Sequence, residues 1–283
     1  MKLVAYEHNG IAAYGVLSGT QITEPDAGTL ARYPDIRAVL DAQALPELAA
    51  AFAGKPATLA LSDVRLLPPV GNPRKIFCVG LNYKSHVAET KRPDAVHPAI
   101  FVRFADTLIA DGAPMRFPGA KSTMFDYEGE LAVVIGKGGT DIAEADAFDH
   151  IAGYACFNDG TVRDWQRHTH QWTPGKNFAD TGVFGPALVT ADEIADITAS
   201  QLTTRLNGQI VQQAPISDLI FTLPVIIAYL SSFTALNPGD VIATGTPGGV
   251  GDRRDPPAYM KHGDIVEVEI SGIGQLRNAV QVV

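Results

Sequence analysis

From Lys75 onward the chain is a succession of short apolar runs of four to seven residues, with little helical periodicity between them. The runs are 75–80, 99–103, 129–135, 187–190, 202–206, 241–244 and 264–270. Strands joined by loops this long, without a helix after each one, do not build a doubly wound sheet. They predict a mixed sheet or a closed β-roll. The clearest helix in this part is Asp218 to Ser232, apolar at Leu219, Ile220, Leu223, Ile226, Ile227 and Leu230, with a shorter one expected over Val87 to Lys91. Before this region, Lys2–Tyr6 and Ala12–Leu17 alternate around His8-Asn9-Gly10, which is a hairpin signal. Residues Asp35 to Ala53 have helical spacing that Pro46 divides in two. Leu67-Pro68-Pro69-Val70-Gly71-Asn72-Pro73 can continue neither helix nor sheet, so a boundary is expected there: a small N-terminal α/β domain over 1–70 and a catalytic domain over 71–283.

The 283 residues, 46% hydrophobic, suffice for a substantial core. A formal net charge of −9 argues against nucleic acid or an anionic membrane as partner, since both demand basic clusters. An anionic small molecule would need a metal or a few basic side chains to receive it. Cys78 and Cys156 are the only cysteines, too few for a disulfide framework, and they read as small buried hydrophobes. Charge returns at once in Met1-Lys2-Leu3-Val4-Ala5-Tyr6-Glu7, unlike a signal peptide, and no apolar run is long enough to span a bilayer. The cytoplasm is the expected compartment.

Glu128 and Glu130 stand two apart at the head of the apolar run Leu131-Ala132-Val133-Val134, so their side chains share a strand face. Two buried carboxylates this close repel unless one is protonated or a cation lies between them. Asp159, after another apolar strand, can supply a third oxygen. Carboxylates and water suit Mg²⁺, Mn²⁺ or Ca²⁺ and not a thiolate-rich zinc site. An isolated Glu-x-Glu pair is nevertheless more often a solvated strand face. His86 and Glu89, three apart, form an acid–base couple if their loop makes one helical turn; on spacing alone a surface pair is the commoner outcome. Thr244-Gly245-Thr246-Pro247-Gly248-Gly249 has the spacing of neither a dinucleotide fingerprint nor a P-loop. It is either a tight loop the fold requires or a donor surface for a substrate carboxylate through Thr246.

Six motifs occur in order over residues 75–283: Gly80-Leu81-Asn82-Tyr83-Lys84-Ser85-His86-Val87-Ala88-Glu89, Asp126-Tyr127-Glu128-Gly129-Glu130-Leu131, Gly153-Tyr154 through Asn158-Asp159, Arg163-Asp164-Trp165-Gln166, Gly175-Lys176-Asn177-Phe178, and Pro238-Gly239-Asp240 through Thr246-Pro247. Together they resemble the fumarylacetoacetate hydrolase family. The resemblance implies an α+β, mainly β fold, a mixed β-sandwich roll behind a small N-terminal domain. It further implies a divalent cation, Mg²⁺ or else Mn²⁺ or Ca²⁺, on Glu128, Glu130 and Asp159, and a homodimer. It makes His86, Glu89 and Lys176 the expected catalytic residues, the first two often on a lid, and Tyr83 and Gln166 plausible substrate contacts. Arg103 stands where many relatives have lysine; it can clamp a carboxylate but cannot exchange a proton. His168 and His170 are expected at the rim, and Trp165 and Trp172 in packing.

The chemistry implied is hydrolysis of a C–C bond in a small diketo acid, acylpyruvate- or fumarylacetoacetate-like, with the cation as electron sink for a chelated 2-oxo acid. The same site serves the alternative, an isomerase or decarboxylase of the 2-hydroxyhepta-2,4-diene-1,7-dioate isomerase or oxaloacetate decarboxylase type. A non-catalytic small-acid binding protein is a third reading, disfavoured by the presence of the full residue set. Substrate selectivity is expected between Lys91 and His97 and in the loop from Arg163 to Thr173.

Overall fold

The computed structural model describes residues 1–90 and 95–283. Residues 91–94, part of the expected specificity segment, lie outside the described residues. Ten strands follow one another across a large mixed sheet: Leu59–Ala60, Gln21–Thr23, Ile11–Ser18, Lys2–His8, Gly182–Thr190, Ile151–Asp159, Gly129–Ile135, Val241–Ala243, Ile76–Gly80 and Ala99–Arg103. Arg65–Leu67 and Leu108–Ile109 attach to its sides. A second sheet holds Gln209–Pro215, Gln201–Leu206, Ile265–Ile270, Gly274–Val282 and Met115–Phe117. The α+β, mainly β expectation is met.

Strand alternation decides what packs where. Along Gly129–Ile135, the odd-numbered Leu131, Val133 and Ile135 enter a core shared with Leu202, Val266, Val268 and Leu276 of the second sheet and with Ile226, Ile227 and Leu230. The even-numbered Ala132 and Val134 face the other way, toward Ile36, Val39, Leu40 and Leu48 of the N-terminal helices. Glu128 and Glu130 belong to this second face, at its end.

The N-terminal hairpin turns on Asn9 and Gly10, both in the left-handed region at φ 51° and 77°, with His8 opposite Ile11, the geometry of a two-residue hairpin. After the short helix Ala27–Arg32, two further N-terminal helices run Ile36–Asp41 and Leu45–Phe52, with Pro46 in the first turn of the latter. Asp35 caps Ile36–Asp41 by accepting from the Ala38 amide at 2.7 Å. The longest helix among the described residues, Leu223–Phe233, starts later than the periodicity predicts, because Pro224 sets its first turn and Ile216–Asp218 is a 3₁₀ turn. Lys2 and Leu3 pair with Val189 and Leu188, so the large sheet runs unbroken across the proline-rich segment. The division into 1–70 and 71–283 is therefore proposed as one of role within a shared sheet.

Candidate active site

Two neighbouring antiparallel strands position the carboxylates. Gly129 lies opposite Asn158 and Glu130 opposite Phe157, and the Asp159 amide donates to the Glu128 carbonyl at 2.8 Å. Residues opposite one another share a face, so Asp159 joins Glu128 and Glu130. One carboxylate oxygen from each lies within 4.8 Å of the others, and all three residues are buried. The glycine between the two glutamates follows from the packing of the two sheets: a Cβ at Gly129 would lie 2.1 Å from Thr204 Oγ1. Gly129→Ala is expected to destabilise the fold by about 1–3 kcal/mol through overpacking, read as a lower thermal midpoint. An unchanged midpoint would mean the sheets part more easily than their contacts suggest.

Three cationic side chains surround this cluster. Lys176 Nζ reaches Glu128 Oε2 and Asp159 Oδ2 at 2.6 Å each. Arg163 binds Glu128 Oε1 through Nη1 at 2.6 Å and Asp126 Oδ2 through Nε at 2.8 Å, while its buried Nη2 has no partner among the described residues. Arg103 donates to Asp159 Oδ1 at 2.5 Å, to the Gly160 carbonyl at 3.1 Å and to Thr181 Oγ1 at 2.7 Å. Burial works to raise the Glu128 carboxyl, but Lys176, Arg163 and His86 outweigh it and bring the pKa down to about 2. Burial also works to lower Lys176, and Asp159 and Glu128 overcome it, so the group remains an ammonium.

Glu130 differs. Its carboxylate accepts the Gly245 amide at 2.9 Å and, among the described residues, has no cation bonded to it. Burial, followed by Asp159 and Glu128, pushes its carboxyl well above the ordinary range. A divalent cation answers this repulsion. The Lys176 and Arg donors do not exhaust the lone pairs of Glu128 and Asp159, since each carboxylate oxygen carries two. The all-oxygen donor set fits a hard ion. Among the described residues, the cations bonded to Asp126, Glu128 and Asp159 are Arg103, Arg163 and Lys176; counted with Glu130, the four carboxyl groups leave a formal excess of one negative charge. A doubly charged ion reverses that sign and turns the site into a receptor for an anion.

A cavity of about 350 Å³ opens over the cluster, lined by His86, Glu128, Glu130, Gln166, Lys176 and Thr246 among others. His86 and Glu89 lie on the helix Lys84–Thr90, with His86 Nδ1 2.6 Å from Glu89 Oε1. Glu89 Oε2 in turn accepts from the Gly249 amide at 2.9 Å. The helix is reached through Leu81, held at φ 58°, and Asn82, which bonds Thr244 O, Phe221 O and the Phe221 amide.

Several expected contacts are placed differently. Tyr83 is fully buried in the core, bridged to Leu219, and does not line the cavity. Arg103 points at Asp159 and is likewise absent from the cavity wall, so its geometry is that of a residue positioning Asp159 and not of a substrate clamp. Gly182 makes room for it, as a Cβ there would meet Arg103 Nε at 2.9 Å. Thr246 does line the cavity, but its hydroxyl donates to Gly129 O at 2.9 Å and accepts from Gln212 Nε2 at 2.8 Å, so its one proton is committed within the protein. Gln166 also accepts from Arg163 Nη1, at 3.1 Å.

Trp172, expected only in packing, contributes to the cavity wall, set edge-on to Phe101. A Cβ at Gly80 would strike its ring at 2.2 Å. Trp165 packs against Phe178 and His168, and His170 reaches the cavity. Arg163 opens one of the six motifs, but sequence reasoning assigns it no role; the aspartate, tryptophan and glutamine after it carry no sign that the arginine turns inward.

Lys176 ends the short helix Thr173–Lys176, which packs so closely on Arg163–Gln166 that a Cβ at Gly175 would lie 2.3 Å from Gln166 N and 2.5 Å from Val162 O. Gly175→Ala must therefore move Lys176, because backbone cannot yield as a side-chain tip can. The expected result is a fall in kcat of on the order of 100-fold, the cost of an ångström-scale misplacement. Retained turnover would show that the lysine position is not critical.

A mixed β fold thus holds three buried carboxylates and an ammonium beneath a histidine–glutamate pair, an arrangement whose donors suit a divalent ion. Residues 75–281 match the family model of the fumarylacetoacetate (FAA) hydrolase C-terminal region. The chain belongs to the fumarylacetoacetate hydrolase family. Oxaloacetate tautomerase fahd2, mitochondrial, of Xenopus laevis is 43% identical over 224 residues, covering 78% of this chain and 70% of the relative. The structure of fumarylacetoacetate hydrolase from Exiguobacterium antarcticum superposes with a TM-score of 0.89 at 32% identity and covers 100% of both chains. Maleylpyruvate hydrolase from Sphingobium sp. SYK-6, in complex with manganese(II) and pyruvate, gives a TM-score of 0.82 at 26% identity, covering 100% of this chain and 99% of that one. No helix among the described residues is long and apolar enough to cross a membrane.

Proposed function

We propose that this chain catalyses proton transfer at the carbon beside the keto group of a small 2-oxo acid, as in the enol–keto interconversion of oxaloacetate. The 43% identity to an oxaloacetate tautomerase carries this reading. It favours the isomerase-type alternative over the C–C hydrolysis first expected from the motifs. Glu128, Glu130 and Asp159 would hold Mg²⁺ or Mn²⁺, and the ion, when bound, supplies a Lewis acid that makes the proton beside the keto group easier to remove.

The remaining work falls to the chain's own residues. Glu89 engages His86 Nδ1, fixing the ring and keeping its Nε2 for taking or returning the proton on carbon. Lys176 sets a permanent positive charge where the substrate oxygen gains electron density. Gln166 can donate its amide to the acid, since its oxygen already serves Arg163. Trp172 walls the cavity and limits water near the reacting carbon.

The test follows the ultraviolet absorbance of the oxaloacetate enol in Mn²⁺-loaded protein. His86→Ala is expected to lower kcat by about 10²–10⁴-fold, the usual worth of a general acid–base group, with Mn²⁺ affinity retained. Excess chelator is expected to abolish the activity. Full turnover in either case would remove the histidine or the ion from the reading. Hydrolysis of an acylpyruvate is the second reading, favoured by the likeness to a maleylpyruvate hydrolase. Pyruvate release faster than enol decay across a panel of such acids would put it first. A homodimer and a cytoplasmic location complete the proposal, and light scattering and cell fractionation test them.

A further inference from the structure

Another part of the cavity wall is made by Arg167, Asp252 and Arg253. The Asp252 side chain, 6% exposed, accepts from Arg167 Nη2 and, at 2.8 Å, from the Tyr259 hydroxyl, and it lies 3.4 Å from Arg253 Nε. One carboxylate thus holds two guanidiniums and leaves one positive charge over. Both arginines are partly open, at 48% and 39% exposure, and each keeps N–H groups beyond those given to Asp252. The proton transfer proposed above uses neither.

This wall is tied to the carboxylate cluster by an unbroken path of bonds. The Asp252 amide donates to Asp126 Oδ2 at 2.9 Å, Arg163 Nε donates to the same oxygen at 2.8 Å, and Arg163 Nη1 reaches Glu128 Oε1 at 2.6 Å. The two regions therefore share one frame and line the same cavity.

We propose that Arg167 and Arg253, oriented by Asp252, form a carboxylate subsite that selects 2-oxo acids bearing a second carboxylate. Guanidinium suits this task because its planar fork matches a carboxylate and stays charged at every working pH. The inference rests on the 2-oxo acid reading above and adds the side chains that would recognise the second carboxylate of a substrate such as oxaloacetate.

The experiment compares oxaloacetate with 2-oxobutanoate, which carries a methyl group in place of the terminal carboxylate. Stopped-flow tryptophan fluorescence, reporting on Trp172 in the cavity wall, gives both Kd values for Mg²⁺-loaded protein before the ligand decays. Wild type is expected to favour oxaloacetate by about ten- to a hundredfold, the worth of hydrogen bonds to a charged group. Arg167→Ala with Arg253→Ala is expected to bring the ratio near one, and the Lys pair to restore part of it. The same preference in wild type and in the alanine pair overturns the subsite, as does a wild type with no preference. Failure of wild type to bind either acid instead overturns the 2-oxo acid reading. Should the alanine pair not fold, Arg253→Gln on its exposed side chain decides between the same outcomes: a reduced ratio supports the subsite, and an unchanged one counts against it.

Discussion

Glutamine at position 130 is expected to leave the chelator-treated protein at least as heat-stable as wild type while abolishing the stabilisation that Mn²⁺ or Mg²⁺ brings. Glu130 is the cluster carboxylate that burial, Asp159 and Glu128 together push toward protonation, and its bonded partner is the Gly245 amide. A neutral amide keeps that partner through its carbonyl oxygen and removes the repulsion, but it withdraws an anionic ligand from the ion. An ion present at a hundred times its Kd stabilises the folded state by about 2.7 kcal/mol. For a chain of this size that corresponds to a rise in thermal midpoint of roughly 5–10 °C in wild type. In Glu130→Gln the rise should be nearly absent, along with turnover. Equal metal-induced shifts in the two proteins would mean that the ion binds elsewhere.

The second large effect is expected at Arg103. Its guanidinium satisfies Asp159 Oδ1, the Gly160 carbonyl and Thr181 Oγ1 in a place with no access to solvent. Arg103→Met leaves half of a buried ion pair behind, a change that costs about 3–5 kcal/mol. Differential scanning calorimetry should therefore show a midpoint lower by roughly 6–20 °C. Arg103→Lys, the residue expected here in many relatives, keeps the charge but cannot form the fork, so it should fall between the two. A midpoint within experimental error of wild type in Arg103→Met would refute the positioning role and reopen the question of what orients Asp159.

The strands and the cluster were legible in the sequence for related reasons. An unbroken apolar run marks Leu131–Ile135 as buried on both faces, and the spacing of Glu128 and Glu130 fixes them on one side whatever the rest of the chain does. His86 and Glu89 depend only on a single helical turn. What stayed hidden depends on where a side chain points after long-range packing. Arg103 reads as a substrate clamp, and Arg163 carries no role, until strands distant in sequence bring Asp159, Asp126 and Glu128 against them. Tyr83 belongs to a motif that borders the cavity, yet its ring turns into the core, and Thr246 spends its proton on Gly129. The late start of Leu223–Phe233 was signalled by Pro224, but continuous apolar spacing from Leu219 concealed it.

The cluster draws Glu128 and Glu130 from one ribbon and Asp159 from its neighbour, with Glu130 facing Phe157 across the gap. If those two ribbons mated one position out of step, the aspartate carboxylate would emerge on the opposite side, among Leu131 and Val133, and the trio could never assemble. On the proposed metal site, affinity for a divalent ion would thus double as a proofreading signal for correct mating of the two ribbons. Misaligned molecules, however compact, would be the ones that leave the ion in solution.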